Sequence, residues 1–274
     1  MCKFLKSLLF LIVLIGCGEN TNSDETTGTS RQKQTLELPQ QSNLWVFVMA
    51  GQSNMTGRGT IEPRDTIRNN RIFAINNKND IVLAQEPLHF YEPSGAGLDC
   101  GMSFGLEMLK NVPLEVSILL IPTAVGGSSI EQWINDETWR GVALSSNFRE
   151  RVKASQKHGT LKGILWHQGE SDAHKGRTKE EHLENMGTLF GRLRAIVGQA
   201  SLPIVVGKLG SFGIQQKQWD QINASIEAYA SSDDFCEVIE TFDLKHKGDS
   251  LHFNSAAQRE MGKRYARAIL ELIN

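Results

Sequence analysis

The sequence predicts an α/β domain built on a mainly parallel sheet covered by helices on both faces. Three observations lead there. Short, continuous apolar runs recur along the chain, bounded by glycines and polar residues. Stretches with apolar residues every three or four positions fall between them. No internal repeat and no second change of composition follows residue 43. A strand that is apolar throughout is buried on both faces, and the amphipathic helices supply the cover.

Leu44 to Met49 (LWVFVM) reads as the first buried strand. Arg71 to Ile75, then Asn76-Asn77-Lys78-Asn79, then Asp80 to Leu83 reads as a hairpin. Ser117 to Pro122 (SILLIP), Leu161 to Trp166 (LKGILW) and Pro203 to Leu209 (PIVVGKL) are further buried strands, and Phe235 to Ile239 is a shorter last one. Leu183, Met186, Leu189, Phe190, Leu193, Ile196 and Val197 form one apolar stripe, which predicts a helix over 178–198. Trp219, Ile222, Ile226 and Tyr229 do the same for 215–230. Met261, Tyr265, Ile269 and Leu272 predict a final helix over 255–273, with Ser255 as its N-cap.

Composition narrows the function classes. The chain has 274 residues, a formal charge of −2 and 40% hydrophobic residues, which is ordinary globular usage. A near-neutral balance argues against non-specific nucleic-acid binding, which needs a basic face. Cys2, Cys17, Cys100 and Cys236 are too few and too scattered for a disulfide scaffold or a zinc ribbon.

The first residues read as an address. Lys3 and Lys6 precede the apolar run Leu8 to Ile15, which is too short to span a bilayer but suits a signal peptide. The run ends in Leu14-Ile15-Gly16-Cys17, which resembles the lipobox of bacterial lipoproteins. The resemblance implies cleavage before Cys17, lipidation of that cysteine, and a cell-envelope location with membrane attachment through the lipid. Gly18, where an inner-membrane retention signal usually has Asp, points to the outer membrane. Residues 18–42 hold almost no large apolar side chain and read as a tether. The expected organisation is a signal over 1–16, lipidated Cys17 and tether over 17–42, and one domain over 43–274. Without Lys3 and Lys6 the mature charge becomes −4. Cys100 and Cys236 then remain, able to pair or to stay as thiols.

Open parallel sheets bind ligands beyond the carboxyl ends of their strands. Gly51-Gln52-Ser53-Asn54-Met55 follows the first strand, Ala124 to Ile130 follows SILLIP, His167 to Asp172 follows LKGILW, and Asp249-Ser250-Leu251-His252 precedes the last helix. Ser53 at a strand-to-helix turn is a candidate nucleophile, or a plain helix cap. His252 is a candidate base. Asp249, three residues earlier, is placed to hold one imidazole nitrogen while the other faces the serine. Gly126 and Gly127 can turn a backbone N–H toward an oxyanion, and Gln168 can offer a side-chain amide. Glu170 reads as a loop brace or a substrate contact. His89, His158, His174, His182 and His246 read as surface or packing residues. His167, Glu170 and His174 lack the His-Glu-x-x-His spacing of a helical metal site, so neither metal nor cofactor is expected. Trp133 and Trp139 are candidates for stacking on a sugar or for the core.

GQSNM at 51–55, AVGGSSIEQW at 124–133, HQGESD at 167–172 and DSLHF at 249–253 resemble the blocks of the sialate O-acetylesterase-like family. This is carbohydrate esterase family six, within the SGNH hydrolases. Gly95 to Leu106 is similar to that family's glycine-rich stretch leading into a helix, and the likeness covers about 44–270. It implies a three-layer α/β/α, flavodoxin-like fold and metal-free hydrolysis of O-acetyl groups on carbohydrate such as acetylated xylan or sialic acid. Carried over by position, Ser53 is the nucleophile, His252 the base and Asp249 its partner. Ser53 N–H, Gly127 N–H and the Gln168 side chain form the oxyanion hole, with Asn54, Gly126 and Glu170 beside them. A lipase-type esterase on the same fold, or a glycan-binding lipoprotein without activity, remains open from these residues.

Overall fold

The computed structural model describes residues 36–273. The run at 44–49 becomes β1 (Leu44–Gly51), buried at every position but Trp45. The chain continues through α1 (Ser53–Thr56), β2 (Ile72–Ile75), β3 (Ile81–Leu83), α2 (Gly101–Met108), β4 (Ser117–Pro122) and α3 (Ile130–Ile134). Then follow β5 (Thr138–Trp139), β6 (Val142–Ala143), α4 (Leu144–Gln156), β7 (Thr160–His167), α5 (Glu170–His174) and α6 (Lys179–Val197). The remaining elements are β8 (Ile204–Gly207), α7 (Gln216–Ala230), β9 (Cys236–Ile239) and α8 (Ser255–Ile273).

Seven strands form one sheet in the order β3-β2-β4-β1-β7-β8-β9. Only β3, paired to β2, runs antiparallel; every other pair is parallel. Side chains alternate across a strand, and β1 shows it. Val46, Val48 and Ala50 enter a cluster with Trp133, Phe148, Phe190 and Ile222 from α3, α4, α6 and α7. Phe47 and Met49 enter the opposite cluster with Phe104 and Tyr265 from α2 and α8. The result is a three-layer α/β/α sandwich with a mainly parallel sheet, the fold class that the sequence predicts.

The structure corrects three features of the sequence reading and decides one that the sequence left open. Helix α4 went unseen because its apolar stripe is thin: only Leu144, Phe148 and Val152 mark it among polar residues. The strand expected over 203–209 is limited to 204–207, because the Leu209 N–H turns to Asn223 Oδ1 (2.8 Å). Asn254, not Ser255, caps α8. Its Oδ1 accepts from the Ala257 N–H (2.9 Å), whereas the Ser255 hydroxyl donates to Thr60 O (2.8 Å). Cys100 and Cys236 are separate buried thiols in the two core clusters, on opposite faces of the sheet, and do not pair.

The signal, Cys17 and the tether up to residue 35 lie outside the described residues. Ordered contacts begin before residue 43. Leu38 packs against the core, and Gln41 Nε2 donates to Gln156 O (2.9 Å).

Candidate active site

β4, β1 and β7 are neighbours at the centre of the sheet, so the loops that leave their carboxyl ends lie side by side. Gly51 closes β1 at φ 129°, and a Cβ there would stand 2.1 Å from His167 O. Only glycine lets the two loops approach so closely. The Gln52 N–H donates to His167 O (2.9 Å). Ser53 then opens α1, so its N–H precedes the helix's own ladder of bonds.

The fourth loop delivers the histidine. Asp249 Oδ1 accepts from the N–H groups of Leu251 (3.1 Å) and His252 (2.9 Å). Its Oδ2 lies 2.7 Å from His252 Nδ1, and His252 Nε2 lies 3.1 Å from Ser53 Oγ. The three side chains, predicted from two loops, therefore form one hydrogen-bonded line. Partial burial works against the Asp249 charge, but the two backbone N–H groups and the His252 ring outweigh it and hold the carboxyl at about 2. His246 shapes this loop from below. Its Nδ1 accepts from Gly248 N–H and Ser250 N–H, both at 3.0 Å, and Ser250 holds φ 53°. The sequence reading set His246 aside. Its place three residues before Asp249, beside Gly248, is the signal that could have found it.

Around the serine the donors sort themselves by what they already bind. Gly126 N–H is taken by Glu92 Oε1 (2.5 Å). Gly127, at φ 75°, lines the cavity, and its N–H has no acceptor among the described residues. Gln168 departs from expectation. Its side chain is fully buried and does not line the cavity. Its Nε2 donates to Asp172 Oδ2, Ser128 O (3.2 Å) and Gln52 Oε1 (3.3 Å). An amide whose two hydrogens are shared among three acceptors behind the loop has none left for the cavity, so Gln168 is corrected to a brace. Gln52 takes the open position. Its Oε1 is fixed by Gln168 Nε2, Gly169 N–H (3.5 Å) and Ser171 N–H (3.2 Å). That fixes which end of the amide is which and leaves Nε2, without an acceptor among the described residues, on a side chain that lines the cavity.

Asn54 joins the serine loop to the histidine loop. Its Nδ2 donates to Glu170 Oε1 (2.5 Å) and Leu251 O (3.1 Å), and its Oδ1 accepts from Phe253 N–H (3.0 Å). Burial raises the Glu170 carboxyl, but His167 and Asn54 overcome that and keep it below the usual range. Glu170 is thus a brace through Oε1 while also lining the cavity. His167 is fully buried, whereas His174 is exposed at the cavity.

The cavity above Ser53 and His252 has a volume of about 850 Å³. Its lining includes the charged Arg58, Glu92 and Arg140 and the apolar Ile214, Trp219 and Leu251. Neither tryptophan singled out from the sequence lines it. Trp133 is core, edge-on to Trp166 with its Nε1 on Ser128 Oγ (2.9 Å). Trp139 donates through Nε1 to Gly126 O (2.9 Å).

Serine against imidazole against carboxylate, at the carboxyl edge of a parallel sheet, is the arrangement of a serine hydrolase. Similarity to known proteins narrows that class. Residues 43–271 match the family described as carbohydrate esterase, sialic acid-specific acetylesterase, and the chain belongs to it. It is 29% identical over 243 residues to a probable carbohydrate esterase of Arabidopsis thaliana, covering 82% of this chain and 90% of that one. The crystal structure of an Arabidopsis thaliana protein superposes with a TM-score of 0.73 at 28% identity, covering 85% of this chain and 100% of that one. NanS (TM-score 0.68, 17% identity, 86% and 98% covered) shares the fold. So does a carbohydrate acetylesterase from Xanthomonas citri (0.63, 18%, 84% and 56%).

Proposed function

We propose that this carbohydrate esterase removes O-acetyl groups from glycans by two-step acyl transfer through Ser53. The observation that carries the reading is the unbroken line from Ser53 Oγ through His252 to Asp249, with both hydrogen bonds formed, at the floor of the cavity. His252 Nε2 takes the hydroxyl proton as Ser53 Oγ attacks the acetyl carbonyl. Asp249 holds the ring in the tautomer with Nδ1 protonated and stabilises the imidazolium. The oxyanion is received by the N–H groups of Ser53 and Gly127, joined by Gln52 Nε2 in the place first given to Gln168. Collapse of the tetrahedral intermediate breaks the ester C–O bond, and His252 protonates the departing sugar oxygen. Water, deprotonated by the same histidine, then clears the acetyl group as acetate.

Acetate release from acetylxylan and from 9-O-acetyl sialic acid tests the activity, with p-nitrophenyl acetate against p-nitrophenyl octanoate as the acyl-chain control. Release from either glycan with acetate preferred over octanoate is expected. Faster octanoate turnover with no acetate from either glycan overturns the reading in favour of a lipase-type esterase. We further propose that Cys17 anchors the enzyme to the cell envelope, with the outer membrane favoured. Metabolic labelling with a fatty acid should mark the wild type and not Cys17→Ser; equal labelling of both removes the anchor.

A further inference from the structure

His246 sits at the neck of the loop that carries Asp249 and His252. Lys247 N–H donates to His252 O (2.8 Å) and Asn254 N–H to Lys245 O (3.0 Å), which closes the neck. Inside it, two side chains collect the amides. Gly248 and Ser250 donate to His246 Nδ1 (both 3.0 Å), while Leu251 (3.1 Å) and His252 (2.9 Å) donate to Asp249 Oδ1. Ser250 holds φ 53°, a conformation that persists in a non-glycine residue only where its surroundings enforce it. Asn54 secures the far side of the loop through Leu251 O and Phe253 N–H. The near side, which turns Asp249 toward His252, depends on one imidazole nitrogen.

Accepting at Nδ1 fixes the state of the His246 ring. That nitrogen is unprotonated, and the proton of the neutral ring is on Nε2. His252 holds the opposite tautomer, with Nδ1–H toward Asp249 and Nε2 toward Ser53. A second proton on His246 would aim an N–H at the two amides, and both bonds would be lost. Imidazole is the side chain that ordinarily changes charge near neutral pH. Phe212 lies against the ring (centroids 5.2 Å apart), and Phe253 pairs with His246 across a β-bridge. Neither titrates. The charges around it are Lys245 and Lys247 on either side, Asp249 and His252 in the loop, and Asp243 with Arg264 of α8. Asp249 is committed to His252 and lies 3.8 Å from Lys247 Nζ; Asp243 is paired to Arg264 (2.6 Å).

We propose that His246 is a positioning residue for the acyl transfer: its neutral Nδ1 seats the Asp249–His252 loop, so that turnover requires two neutral imidazoles, one that moves the proton and one that holds its support. This rests on the reaction through Ser53 proposed above.

The pH profile tests it. kcat/KM for p-nitrophenyl acetate, which has no ionisable group, is measured over pH 4–8 for the wild type, His246→Asn and His246→Leu. The rate at which a fluorophosphonate labels Ser53 is followed alongside, since it needs the base but no acetylated substrate. On the acid side the wild type should fall about 100-fold per pH unit, the slope of two ionisations. His246→Asn keeps an acceptor through Oδ1 and cannot titrate, so its slope should drop to about tenfold per unit. At pH 8, His246→Leu should lose about 10–100-fold in kcat with KM within threefold, and His246→Asn should recover most of that loss. A wild-type slope of one ionisation overturns the proposal, as does a double slope retained in His246→Asn, or an asparagine variant as slow at pH 8 as a folded leucine variant. If His246→Leu does not fold, the slopes of the other two proteins decide. No acetate from any glycan with the double slope intact loses only the glycan reaction. A single slope in an enzyme that deacetylates glycans loses only the role of His246.

Discussion

The line of Ser53, His252 and Asp249 and the brace beneath it are built from the same kinds of residue and behave in opposite ways. The line is open: the Asp249 side chain is 35% exposed, and each contact is a single hydrogen bond. The brace is closed. Gln168 and Asp172 are fully buried, and Asp172 alone receives Gln168 Nε2, Ile130 N–H (2.9 Å) and Arg177 Nε (3.0 Å). A group that moves protons needs solvent and slack. A group that fixes loop spacing needs burial and several partners, since a buried polar atom deprived of its partner costs about 1–3 kcal/mol. Burial, more than residue type or the number of bonds made, separates chemistry from scaffolding here: Asp249 and Asp172 each accept three hydrogen bonds and differ in exposure.

Substitutions can break that distinction, beginning with the largest expected effect. Ser53→Ala should lower p-nitrophenyl acetate turnover by about 10⁴–10⁶-fold with an unchanged thermal midpoint; activity within tenfold of wild type would make the line structural. Gln52→Glu keeps the acceptor for its three N–H donors and replaces the cavity-facing N–H with oxygen. It should cost about 10²–10³ in kcat. Gln168→Ala should instead lower stability by about 1–3 kcal/mol, seen in urea unfolding, with the smaller loss of kcat. The reverse order would return the oxyanion role to Gln168. Asn54→Ala leaves Glu170 and the Phe253 N–H short of partners. It should lower the thermal midpoint by about 5–10 °C and kcat by about tenfold, through looser seating of His252.

The smallest effect is acid dependence. Asp249 sits at about 2 in the folded protein against an ordinary 3.8. The stability contributed by its charge is fully present above 3.8 and is lost as pH falls through about 2. The difference in thermal midpoint between wild type and Asp249→Asn should therefore shrink between pH 4 and pH 2. A difference that is flat across that range would mean that His252 and the backbone do not hold the carboxylate.

Much of this was legible in the sequence, for a physical reason. Buried parallel strands must be apolar throughout, so β1, β4, β7 and β8 announce themselves, and their carboxyl ends then point to the polar loops. Asp249 and His252 are close in sequence, and their pairing is a local fact. What escaped depends on contacts between distant segments. Nothing near Gln168 shows that Asp172, Ser128 and Gln52 surround its amide, or that the amide of Gln52 is thereby turned outward. β5 and β6, two residues each, are too short to show a period, so Arg140 was invisible while Trp139 beside it drew notice as an aromatic.

The adjacency of β4, β1 and β7 reaches beyond this one chemistry. Strands in a ladder stand roughly 4.8 Å apart, and the loops bearing Gly127, Ser53 and the brace each leave one rung of it. The interval between Ser53 and Gly127, the proposed attacking residue and oxyanion donor, is thus a property of peptide geometry, as fixed as the pitch of a screw. Side chains around the rim can be exchanged to suit a new glycan without disturbing that interval, which lets selectivity drift while the reaction stays the same.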